Sequence, residues 1–151
     1  MSKELPFFYE VKQNDNVLAM VVKRDFQQDG IHFFTPNDYS QQLAYMHHSK
    51  GHVIDPHVHN EVRREVLYTK EVLIIKSGKM RCDFYSDDRI YIKSIIVETG
   101  DVLLLVSGGH GFECLEDTEF YEVKQGPYAG DGDKTRFLPA ESDEIRIEGE
   151  K

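Results

Sequence analysis

The sequence predicts an all-β fold. Three observations carry it: short runs rich in β-branched and aromatic residues recur about every ten residues, turns made of Gly, Asp, Asn or Ser separate them, and no long stretch keeps a helical period. At 151 residues the chain is long enough to bury a core without staples, so residues 1–138 are read as one domain. The acidic stretch 139–151 is read as a flexible tail.

The elements follow in order. FFYEVK (7–12) and VLAMVVK (17–23) flank the turn-forming QNDN and read as an N-terminal hairpin. The Asp29-Gly30 turn leads to the strand IHFFT, stopped at Pro36, which cannot donate to a ladder. QLAYMHH (42–48) leads toward His57 and His59, which sit two apart; on a strand both imidazoles leave one face. Helix is confined to about a turn, near 37–42 or in the loop after His59. From Glu71 the pattern is all β: EVLIIK, KMRCDFYS, RIYIKSIIVE, VLLLV, GFECLE and EFYEVKQ, with turns at Ser77-Gly78, Ser86-Asp87-Asp88, Thr99-Gly100-Asp101 and Ser107-Gly108-Gly109. In KMRCDFYS, Met80, Cys82 and Phe84 share a face and mark a core. His110, Phe112 and Cys114 share the next one, which turns His110 inward.

Charge narrows the partners. The net charge of −9 argues against nucleic acid and anionic membrane, both of which need a basic footprint. A small anionic ligand stays open, since it responds to the local field of a pocket. Cys82 and Cys114 are too few for a disulfide framework and read as reduced core residues. The N-terminus lacks a signal-peptide pattern and the longest apolar run, Val102–Val106, is far short of a membrane span. A soluble, cytoplasmic protein is expected.

His57, His59, Glu71 and His110 together offer three imidazoles and a carboxylate, an N/O donor set suited to Fe, Ni, Mn, Zn or Cu with positions left for water or substrate. Glu71 opens a strand closed by Gly78, which places it ahead of Glu65 and Glu61 as the carboxylate donor. Arg63 and Arg64 in the loop 60–70 are either solvated or grip an anionic substrate. Tyr45, Tyr85 and Tyr121 are either packing aromatics or orienting hydroxyls.

These residues carry a resemblance. GHVIDPHVH (51–59) matches GxxxxxHxH and EVLIIKSG (71–78) matches ExxxxxxG, the two halves of the first cupin motif, although eleven residues separate His59 from Glu71. GDVLLLVSGGHGFEC is similar to the second motif, with Gly100 and Gly108 in place, Val106 where Pro is usual, and His110 one residue early. Over residues 40–125 the chain therefore resembles a small single-domain cupin. The resemblance implies a double-stranded β-helix, that is, a jelly-roll barrel or sandwich, with the N-terminal hairpin as an extension. It implies one divalent transition-metal ion on His57, His59, Glu71 and His110. It also implies an isomerase, epimerase or dioxygenase acting on a small sugar-derived or oxygen-rich carboxylate; the alternative is a non-catalytic sugar or nucleotide-sugar binder. In metal-free sugar epimerases of similar fold, a barrel histidine serves as base. The aromatic N-terminal strands leave an apolar edge, so a homodimer is expected.

Overall fold

The computed structural model describes residues 5–149, in which ten strands form: β1 (Phe8–Gln13), β2 (Asn16–Val22), β3 (Gly30–Phe33), β4 (Ala44–His47), β5 (Glu71–Ser77), β6 (Lys79–Tyr85), β7 (Tyr91–Glu98), β8 (Val102–Leu105), β9 (Gly109–Cys114) and β10 (Glu119–Lys124). A 3₁₀ turn at Gly130–Asp133 is the sole helical element among the described residues. The all-β expectation therefore holds. The chain divides between Phe26 and Gln27, and again between Tyr68 and Thr69, into two compact units: Gln27–Tyr68 and the remainder.

The larger unit is a β-sandwich. One sheet has the order β1-β2-β8-β5-β10 and the other β7-β6-β9, with every neighbouring pair antiparallel. Alternation along the strands turns Val11, Val21, Leu73, Ile75, Leu103 and Leu105 of the first sheet toward Met80, Cys82, Phe84, Ile95 and Val97 of the second, and a bulge in the β1–β2 ladder adds Leu18 to the same cluster. These side chains are buried, and each contributes about 1.5–3 kcal/mol of transfer free energy. The sandwich is not a closed barrel: β9 pairs only with β6 and β10 only with β5, so the two sheets part between these consecutive strands.

The opposite edge is covered. Residues 144–148, expected in a flexible tail, run along β7. Ser94 N donates to Arg146 O at 2.8 Å, Glu148 N donates to Ser94 O at 2.9 Å, and Ile147 forms a parallel bridge with Ser94. Arg146 adds its guanidinium over the Tyr91 ring, 5.5 Å from the centroid. A strand edge that would otherwise offer bare N–H and C=O groups is thereby satisfied.

Two tight turns explain the glycines at 78 and 108. Gly78 has φ +89° and Gly108 φ +71°, the left-handed region. A Cβ at 78 would collide with the Asp117 carbonyl oxygen and lie 2.8 Å from Thr118 Cα, both backbone atoms that cannot swing away. Gly78→Ala is therefore expected to cost about 2–4 kcal/mol, combining left-handed strain with overpacking. A urea midpoint unchanged from wild type would show that the turn adapts.

The unit Gln27–Tyr68 contains one hairpin, β3–β4, with Ile31 opposite Met46 and Phe33 opposite Ala44. Its connection is pinned by Gln42, whose Nε2 donates to Pro36 O and Tyr39 O at 2.9 Å and whose Oε1 accepts from Thr35 Oγ1 at 2.7 Å. No helix forms at 37–42. The strand expected at His57 and His59 does not form either: residues 48–70 contain none. Pro56 offers no N–H to a ladder, and no strand pairs alongside. Ile31, Phe33, Met46, Val58 and Leu67 remain exposed.

Cys82 is buried, and burial pushes its thiol pKa upward. Cys114 is exposed, contrary to its reading as a core residue. Its phase is as expected, opposite Met80 on the inward face, but it lies on the edge strand β9 where the sheets part.

Candidate functional site

Strand register builds the site. On β9, His110 lies opposite Phe84 and Phe112 opposite Cys82, so the imidazole shares the inward face of the three-stranded sheet. On β5, Glu71 shares the inward face of the other sheet with Leu73 and Ile75. Lys124, Glu122 and Phe120 of β10 lie opposite Glu71, Leu73 and Ile75, on that same face. Inward-facing groups at 110, 112, 120, 122 and 124 would be core in a closed barrel. Here they keep solvent access, with Phe112 38% and Phe120 40% exposed. The open side of the sandwich is thus a trough with an apolar body and polar groups at one end.

Glu71 and His110 meet at that end. Nε2 of His110 lies 3.4 Å from Oε2 of Glu71, with the carboxylate side chain 14% exposed and the imidazole 32%. The His110 contact holds the Glu71 carboxyl below its usual range against an upward push from burial; the fields of Lys124 and Lys134 act in the same direction as His110. Glu71 is consequently an anion at neutral pH, the state required of a metal donor or of a carboxylate that orients an imidazole. Beside it, Lys70 donates its N–H to Gln125 Oε1 at 2.8 Å and its ammonium to Val106 O at 2.7 Å, fixing the entry into β5.

His57 and His59 occupy the exposed coil of the Gln27–Tyr68 unit, their rings edge-on with centroids 5.3 Å apart, and His57 Nδ1 lies 2.9 Å from Asp55 O. Glu61, Arg63, Arg64 and Glu65 are exposed in the same coil, Arg64 reaching Val62 O at 3.5 Å. Tyr45 stands on β4 opposite His32. Tyr85 is buried on the outward face of β6, where its hydroxyl accepts from Ala140 N at 2.9 Å and its ring meets Phe137 edge-on. Tyr121 projects from β10 on the face opposite to Lys124 and is 59% exposed. The larger unit therefore brings together Glu71 and His110, and places Tyr85 and Tyr121 away from them.

Lys124 and Glu122 escaped the sequence reading. Their signal was the alternation in EFYEVK, which sets Phe120, Glu122 and Lys124 on one face, but only the β5–β10 register assigns that face to the trough.

The donor chemistry at Glu71 and His110 suits a divalent ion, one carboxylate oxygen and one imidazole nitrogen close enough to share it. Among the described residues, however, no group of three or more His, Cys, Asp or Glu side chains is placed to hold one ion. The fit in this unit is thus two protein donors, with the remaining positions left to water or an oxygen ligand. No helix of the described residues is long and apolar enough to cross a membrane. No protein-family model matches the chain, and no curated protein or solved structure matches it.

Proposed function

We propose that the protein is a cupin-type metal-binding protein acting on a small, oxygen-rich anionic metabolite such as a hydroxy acid, keto acid or sugar derivative. Isomerase or epimerase chemistry fits the site ahead of dioxygenase chemistry. The observation that supports this reading is the Glu71–His110 pair at the open side of the sandwich. A bound Fe, Ni, Mn, Zn or Cu ion would supply Lewis acidity toward substrate oxygens. The chain's own part is to present Glu71 as an anion, to set His110 against it, to attract the anionic ligand through Lys124, and to shield one wall of the trough with Phe112 and Phe120.

A second, metal-free reading rests on the same Glu71–His110 contact. His110 would then act as general base toward a proton next to a carbonyl, with Glu71 orienting the imidazole and stabilising its charged form. A sugar-binding protein without turnover would use the same trough.

Titrating dialysed protein with a divalent ion, followed by calorimetry, separates these readings. The metal reading expects saturable uptake that His110→Ala and Glu71→Gln weaken about 10- to 100-fold. His57→Ala and His59→Ala serve as further arms, and a fall in affinity would add either imidazole to the donor set. Absence of uptake removes the ion; turnover that persists in metal-free protein then assigns His110 as the base.

We also propose a homodimer. The edge strand β10 exposes Tyr121 and Val123, and the β3–β4 hairpin exposes Ile31, Phe33 and Met46. Apolar faces of this kind are stable in water when a second copy covers them. Light scattering is expected to give twice 17.5 kDa; a mass of 17.5 kDa would contradict it.

A further inference from the structure

The geometry points to an anion-binding site, suited to the phosphoryl group of a small metabolite, in a cleft of about 200 Å³ at the end of β10. Lys124, Lys134 and Arg136 line it, together with Gln125 and Tyr128. Two carboxylates, Asp131 and Asp133, line it as well. Asp133 is engaged: both its oxygens accept from Thr69 Oγ1 at 2.9 Å. Lys124 is already paired, its ammonium 3.5 Å from Glu122 Oε2, so the cations left for a ligand in this acidic chain are Lys134 and Arg136.

The state of those cations carries the inference. Most basic side chains of the sandwich are engaged: Lys23 with Asp101, Lys76 with Glu119, Lys79 with Glu98, Arg81 with Asp83 and Glu113, and Lys93 with Glu148. Among the described residues, Lys134 and Arg136 have neither a hydrogen bond nor an ion pair, and both border the same cleft. Lys134 is extended, with φ −140° and ψ 151°, and Arg136, two residues on, lines the same cleft. Gln125 adds donors, because its Oε1 is occupied by Lys70 N while its Nε2 makes no hydrogen bond among the described residues. A planar guanidinium fork beside the unpaired Lys134 ammonium matches the oxygens of a phosphoryl group. Lys124 lies opposite Glu71 in the β5–β10 register, so an anion held here sits next to the trough. The site is independent of any metal.

Calorimetric titration with inorganic phosphate at constant ionic strength tests it. Saturable binding is expected with Kd about 1 mM or tighter. The double variant Lys134→Ala/Arg136→Ala, altered only at exposed positions, is expected to weaken binding at least about tenfold, and Arg136→Lys to give an intermediate loss because the fork is gone. Lys76→Ala, outside the cleft, is expected to leave the affinity unchanged. Absence of saturable binding, or an equal loss in Lys76→Ala, would overturn the proposal, the latter by showing diffuse charge attraction.

Discussion

Replacement of Asp101 by alanine is expected to destabilise the sandwich by about 3–5 kcal/mol, because it strips a buried ion pair of one partner. Asp101 is 1% exposed in the turn between β7 and β8. Its Oδ1 accepts from Arg24 N at 2.8 Å, and its Oδ2 accepts from Glu98 N at 2.7 Å and from the Lys23 ammonium. Its backbone takes part too, the carbonyl accepting from Ile75 N at 3.0 Å. One residue thus ties the end of β2, the start of the β7–β8 turn and the middle of β5. Among the described residues, alanine leaves the partly buried Lys23 ammonium with Ile96 O alone, at 3.1 Å, and takes the carboxylate acceptor from the N–H groups of Arg24 and Glu98. Asp101→Asn keeps one acceptor oxygen and is expected to fall between wild type and alanine. Urea denaturation reads the difference; a loss for alanine below about 1 kcal/mol would show that water replaces the carboxylate.

Phe84→Ala is expected to cost a similar amount, about 3–5 kcal/mol, by a different mechanism. The ring is 0% exposed and belongs to the cluster formed by both sheets. Truncation leaves a cavity between layers whose backbones are held by ladders on both sides of β6, so collapse around it is limited. Phe84→Leu keeps most of the volume and is expected to lose about 1–2 kcal/mol. Because Phe84 lies opposite His110 in the β6–β9 ladder, alanine is also expected to loosen the imidazole's setting against Glu71. Equal stabilities for the alanine and leucine variants would show that the site repacks.

Much of the sandwich was legible in the residues, for identifiable reasons. KMRCDFYS alternates so that Met80, Cys82 and Phe84 form the core side, and the ladder places them there. Gly78 and Gly108 close turns where the backbone has positive φ and no room for a side chain. The inward phase of His110 followed from period two alone. What periodicity could not supply was contact across sheets. Asp101 read as one more turn residue, because its partners at 23 and 24 become neighbours only when the β2–β8 ladder is in register. Lys124 was hidden for the same reason. The flanking apolar residues of His57 and His59 suggested a strand, but alternation without a partner edge is not sufficient, and Pro56 interrupts it. Residues 144–148 looked like a tail by charge, yet their backbone satisfies the open edge of β7.

Anomalous diffraction from a crystal soaked in a divalent transition-metal salt tests most directly whether Glu71 and His110 act as one functional unit at the open side of the sandwich. The expected result is a peak within bonding distance of His110 Nε2 and a Glu71 carboxylate oxygen, about 2.0–2.2 Å from each, and its loss in Glu71→Gln. Density confined to other side chains, with the 71–110 contact unchanged, would contradict the metal assignment.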